Sequence, residues 1–149
     1  MKKNKLVGKT IITNTSVDTQ NLGSDFAKVL ESGDVVALYG ELGSGKTTFT
    51  QGLAKGLGIK NRIISPTFVI VRNYDLGIIN FYHIDLYRME NIKDLEGLGI
   101  EEVINDKNNI VVIEWAEKLQ NLLPKKRIDI KFVYEKDDAR KIVFGSLNQ

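Results

Sequence analysis

The 149-residue chain has no cysteine, one histidine, one tryptophan and two prolines. The lack of cysteine excludes disulfides, cysteine zinc sites and a thiol nucleophile, and it fits a reducing compartment. No stretch approaches the ~20 apolar residues that cross a bilayer. The basic amino terminus is not followed by an apolar run of signal-peptide length. A cytoplasmic protein away from membranes is the expectation. Charge of one sign is also scarce. Twenty-one Lys and Arg stand against 19 Asp and Glu, a net charge of +2. A sequence-independent nucleic-acid binder carries a stronger basic excess on one face, so no DNA partner is expected. The basic clusters Lys2–Lys5 and Lys125–Arg127 are short and read as solvated surface. Repeats, linkers and low-complexity segments are absent, so residues 1–149 read as one domain. A chain of this length buries roughly 70% of its unfolded surface.

What is present is an alternation of periods. Gly8 to Thr15 carries β-branched residues suited to a first strand. Leu22, Phe26, Val29 and Leu30 then share a helical face, with Asp18 or Thr19 as the cap and Gly33 as the stop. Asp34 to Gly40 is a continuous apolar run, the pattern of a strand buried on both sides. Phe49, Leu53 and Leu57 form the next helical stripe. Gly52 and Gly56 lie on a neighbouring face of that helix, at about 1 kcal/mol each relative to alanine. Close packing of the helix on a sheet would account for them. Thr67–Tyr74 and Ile78–Ile84 flank Asp75-Leu76-Gly77 as an antiparallel hairpin. Two short helices broken at Gly97 or Gly99 follow, then a buried strand from Asn109 to Glu114. A short helix around Ala116–Asn121 leads to two alternating strands. The pattern predicts an α/β sandwich, with parallel central strands and antiparallel strands at the flank.

The run Gly40-Glu-Leu-Gly-Ser-Gly-Lys46-Thr47 fits G-x-x-x-x-G-K-[ST] without departure. Its glycines permit positive φ and a close approach of backbone to an anion. Amides from Gly43 to Thr48 then form a nest for a β-phosphate, helped by the positive end of the following helix. Lys46 supplies a mobile charge between β- and γ-phosphates, and the Thr47 hydroxyl is placed for Mg²⁺. A chance match in a chain this long is rarer than about one in a hundred, which favours nucleotide binding over an incidental glycine turn.

Such a site needs a carboxylate at a neighbouring strand end to hold the magnesium or its water. Asp85 and Glu114 both qualify, and both can serve. Pro66 fixes a turn that could aim Thr67 at a γ-phosphate, or it simply starts a strand. His83 shares a strand face with Phe81 and Asp85. A histidine hydrogen-bonded within the sheet is favoured over a general base. Trp115 fits either a core position or a partner surface.

A GTPase would show N-K-x-D for guanine, and none is present. Asp94-Leu-Glu-Gly97 matches D-x-x-G but lies in helix-like sequence. A small-molecule kinase needs an arginine-bearing lid, whereas Arg62, Arg72, Arg88, Arg127 and Arg140 are scattered. That kinase stays the rival reading, to be separated by whether free phosphate or a phosphorylated metabolite is the product. A nucleotide-gated module that binds without cleaving is the non-enzymatic rival.

GELGSGKTT, SPTF, FYHIDLYR and the strand ending IEW follow in that order. Together they resemble the TsaE family, P-loop ATPases required for threonylcarbamoyl-adenosine formation in tRNA. The resemblance runs from about Thr15 to Arg140. It implies that Glu41, Leu42, Gly43, Ser44, Gly45, Lys46, Thr47 and Thr48 bind ATP. It implies further nucleotide contacts near Thr15 and at Arg140. Metal falls on Thr47 and Glu114, with Asp85 linked to metal, water and hydrolysis. Lys46, Asp85 and Glu114 are thus the candidate catalytic residues, with ATP and Mg²⁺ as cofactors. Ser44 departs from the alanine common in the family, a change that keeps the backbone N–H. The implied partners are TsaD and TsaB, which do the transfer, with tRNA met only through that complex.

Overall fold

The computed structural model describes residues 2–60 and 70–145. Within them a seven-stranded sheet runs in the order β1-β7-β6-β2-β5-β4-β3. Its strands are β1 (Thr10–Thr13), β2 (Val35–Tyr39), β3 (Val71–Asp75), β4 (Asn80–Asp85), β5 (Asn109–Glu114), β6 (Ile128–Tyr134) and β7 (Arg140–Phe144). The four central strands β6, β2, β5 and β4 are parallel. β1, β7 and β3 join antiparallel at the two flanks. The expected architecture is therefore observed. β2 and the centre of β5 are apolar because helices cover both of their faces, and every residue of β5 is buried, its polar ends Asn109 and Glu114 included.

On one face α2 (Ser16–Ala27) and α3 (Lys46–Gly56) pack on Val36, Leu38, Phe81, Val112 and Ile130. Phe26, Phe49, Phe132 and Phe144 meet there in tilted and edge-on pairs at 5.3–5.8 Å. On the other face α4 (Ile100–Asn105) and the 3₁₀ segments Ile92–Leu95 and Ala116–Leu122 cover Val35, Ala37, Val111 and Ile113.

Four local expectations change. The cap of α2 is Thr15, whose hydroxyl accepts from the Asp18 amide at 3.0 Å. The helix starts earlier than Asp18 or Thr19 because Thr19 is buried, its hydroxyl 2.7 Å from that of Thr13. α2 also ends at Ala27. Gly33 (φ +96°) instead turns the chain into β2, donating its amide to the Asn109 carbonyl. Neither basic cluster is wholly solvated. Lys3, in the short helix α1 (Lys3–Leu6), reaches Asp34 at 2.8 Å, and Arg127 Nε reaches Asp129 at 2.8 Å.

The glycines of α3 face α2, not the sheet. A Cβ at Gly52 would lie 1.9 Å from the Gln20 carbonyl oxygen, and one at Gly56 would lie 2.6 Å from that of Ser24. Gly23 of α2 answers with 2.2 Å to the Phe49 carbonyl oxygen. The two helices touch backbone to backbone, and α3 carries the phosphate loop on its first turn. Gly52→Ala is expected to force them apart at a cost of about 1–3 kcal/mol. Each kcal/mol lowers the melting temperature of a domain this size by about 2–4 °C. An unchanged melting curve would show that the contact is slack.

Candidate nucleotide site

The phosphate loop joins β2 to α3, at the carboxyl ends of the parallel strands, where open α/β sheets bind ligands. Gly43 (φ +80°) and Gly45 (φ +108°) hold the left-handed turns that curl the loop. The first N–H groups of α3 have no acceptor inside the helix and face this end. The nest is partly self-satisfied, since the Ser44 amide donates to the Glu41 carbonyl at 3.1 Å. The Ser44 hydroxyl is buried without a hydrogen-bond partner among the described residues.

Lys46 folds back on its own loop. Its Nζ donates to the carbonyls of Gly40 and, at 3.0 Å, Glu41, and it lies 4.2 Å from the centre of the Trp115 ring. Burial lowers the pKa of this ammonium, and the charges of Glu114, Glu117, Asp85 and Glu41 act against that shift. A negative ligand at the loop would relieve the desolvation that the carbonyls and the ring only partly offset. Trp115 reaches the lysine because its backbone is left-handed (φ 60°), a strained setting for a bulky residue. Its ring also meets Tyr87 at 5.3 Å, so it belongs to the wall of the site.

The acidic side is built by strand register. Parallel pairing sets Asp85 of β4 opposite Glu114 of β5, so both carboxylates end side by side next to α3. The Thr47 hydroxyl donates to Glu114 Oε1 at 2.9 Å. Glu114 Oε2 is 2.5 Å from His83 Nε2. Asp85 Oδ1 accepts from the Tyr87 amide at 3.0 Å, and Asp85 is 8% exposed. Of the two predicted acids, Glu114 thus bonds the predicted threonine, and Asp85 stands beside Glu114 in the register. His83 is fully buried, but its partner is a side-chain carboxylate across the sheet.

A cavity of about 420 Å³ opens between these groups, walled by Gly43, Gly45, Lys46, Thr47, Thr48 and Leu42 on one side and Asp85, Glu114 and Trp115 on the other. That volume is in the range of small-molecule sites. Arg140 closes one edge. Its stem lies against Gly45, its Nη1 donates to the Asp137 and Ala139 carbonyls, and its guanidinium stacks 4.9 Å over Tyr134. Thr15 does not reach this wall. It caps α2, two residues beyond Thr13, which pairs with Arg140. Glu41 contributes its carbonyl to Lys46. Ser65, Pro66 and Thr67 lie outside the described residues.

Sequence reading missed Tyr87 and Lys118. Lys118 Nζ donates to the Tyr87 and Met89 carbonyls at 2.6 and 3.0 Å, tying the segment after Asp85 to the 3₁₀ turn after Trp115. Tyr87 lies inside the HIDLYR run, which was a usable signal. For Lys118 there was none.

The donors fit magnesium as a shared ion. Thr47, Asp85 and Glu114 offer hard oxygen atoms, the donor type that magnesium takes. No group of three or more His, Cys, Asp or Glu able to hold a metal alone occurs among the described residues. Mg²⁺ is commonly held in this way, by one or two protein carboxylates with the rest of its shell from phosphates and water.

Known proteins resemble this chain over most of its length. The family model described as threonylcarbamoyl adenosine biosynthesis protein TsaE matches residues 13–142. A Bacillus subtilis protein named tRNA threonylcarbamoyladenosine biosynthesis protein TsaE is 40% identical over 87% of this chain and 80% of its own length. A Treponema pallidum protein of the same name is 37% identical over 88% and 96%. The crystal structure of Bacillus subtilis YdiB superposes with a TM-score of 0.79 at 35% identity, covering 94% of this chain and 86% of that one. The P-loop, the paired acids and these relatives agree: the chain belongs to the TsaE family.

Proposed function

We propose that this chain is a Mg²⁺-dependent ATPase that serves threonylcarbamoyl-adenosine modification of tRNA. Membership of the family supports a role in that pathway. The observation that carries the ATPase reading is the closed constellation Lys46, Thr47, Glu114 and Asp85 around one cavity. ATP is the substrate on the loop, its β- and γ-phosphates drawing Lys46 away from the Gly40 and Glu41 carbonyls. Thr47 and Glu114 would hold Mg²⁺, with Asp85 beside them to orient the attacking water. A magnesium ion held there would neutralise charge on the phosphates.

Among the cavity-lining cations, Arg140 gives Nη1 to two backbone carbonyls and stacks on a ring, and only its buried Nε, beside Gly45, has no hydrogen-bond partner among the described residues. A supplied arginine is worth about 10³–10⁵ in rate where one acts. Hydrolysis by the isolated chain is therefore slow and depends on a partner. The partners that fit are the TsaD and TsaB proteins, which perform the threonylcarbamoyl transfer, with hydrolysis resetting their complex between rounds. Transfer chemistry does not occur on this chain, and tRNA is met through the complex.

Phosphate release with and without the TsaD–TsaB complex tests this. Stimulation of at least tenfold is expected. Equal rates, or a phosphorylated metabolite in place of free phosphate, would contradict it.

A further inference from the structure

We propose that His83 is a positioning residue that sets the Glu114 carboxylate for Thr47 and the metal. The inference rests on the ATP–Mg²⁺ reading of the site and adds a residue to it.

Glu114 has three side-chain torsions and is 2% exposed, so mostly protein side chains hold its oxygens. Each oxygen has one partner in the structure. Oε1 takes the Thr47 hydroxyl at 2.9 Å and Oε2 takes His83 Nε2 at 2.5 Å. A carboxylate held at one oxygen can still rotate about its last bond. Held at both, its plane is fixed. The register explains the reach. His83 pairs with Val112, two residues before Glu114, so the two side chains are diagonal neighbours on one sheet face.

His83 itself does not touch the cavity. It is 0% exposed and is not among the residues that wall the site. A general base must reach the attacking water, and a ring behind Glu114 does not. Nδ1 has no hydrogen-bond partner among the described residues, which leaves Nε2 as the engaged nitrogen. The ring therefore acts through Glu114. Groups that orient a metal-holding side chain in this way are worth about 10–100-fold in metal affinity or activity.

The test compares ATP binding in the presence of Mg²⁺ and of a chelator, by calorimetry, in the full chain and in His83→Phe and His83→Gln. Phenylalanine keeps the ring shape and removes the donor, whereas glutamine returns an N–H near the place of Nε2. The ratio of the two affinities reports the magnesium contribution. His83→Phe is expected to shrink that ratio about tenfold. Its metal-free affinity should stay within about twofold, and His83→Gln should restore most of the ratio. An unchanged ratio in His83→Phe, or equal losses with and without Mg²⁺, would overturn the proposal. If the native chain itself fails to bind ATP, the functional reading has failed instead.

A second measurement needs no variant. His83 is the only histidine, so a long-range ¹H–¹⁵N spectrum of the native chain reads which ring nitrogen carries the proton. A proton on Nε2 supports the bond to Glu114. A ring with Nε2 bare refutes it, even if His83→Phe does not fold.

Discussion

Lys46→Ala is expected to leave the chain folded and to abolish ATP-dependent support of repeated rounds of tRNA modification. Three features of the site set the size of the effect. Lys46 is the ammonium at the centre of the loop, 4% exposed, on two carbonyls and under an indole ring. Alanine removes the charge that follows the phosphates. It also frees the Gly40 and Glu41 carbonyls at the mouth, where they would repel a triphosphate. Losing one such donor to developing charge costs about 10²–10³ in turnover. Weaker nucleotide binding adds to that loss. Folding is spared because burial disfavours the charged lysine, so the native state gives up little when it goes. Steady-state phosphate release with the partner complex measures the loss. A variant that supports modification at the native rate would remove the loop from the mechanism.

Asp85→Asn is expected to lower turnover by about 10²-fold or more while the melting temperature holds. The structure separates the two effects. Asp85 Oδ1 accepts the Tyr87 amide in a short turn, and an asparagine oxygen accepts the same bond. What the variant loses is a negative charge beside Glu114, at the end of a parallel strand facing the loop. That charge would orient water and complete the shell of a magnesium ion. Native turnover in a folded Asp85→Asn protein would exclude Asp85 from the chemistry. A fall in stability comparable to the fall in turnover would make it a structural residue.

The parts of this molecule legible in the sequence are those whose pattern is local. β2 and β5 declare themselves because burial on both faces gives each an unbroken apolar run, residues 35–39 and 110–113. The hairpin declares itself through Asp75-Leu76-Gly77, where the Gly77 amide bonds the Asp75 side chain. The phosphate loop is legible because its backbone geometry demands glycines at fixed spacing. Contacts set by register or by helix pairing leave no such mark. Gly52 and Gly56 announced close packing, yet periodicity does not say whether a helix face meets a sheet or another helix. Here it meets α2. Asp85 and Glu114 were each visible as strand-end acids, but their adjacency needs the β4–β5 pairing. The bond from His83 to Glu114 is a diagonal one across that same pair, 31 residues apart in the chain. Trp115 looked equally suited to core or surface. Its left-handed backbone turns the ring over Lys46, which makes it part of the cavity wall.

The site as a whole stands or falls with triphosphate capture by the loop. Calorimetric titration of the native chain with ATP and Mg²⁺ tests that most directly, with the emission of the single tryptophan, Trp115, as a second reporter beside Lys46. One nucleotide bound per chain, with a change in emission and weaker binding by Lys46→Ala, is the predicted result. No heat and no spectral change at millimolar ATP would contradict it.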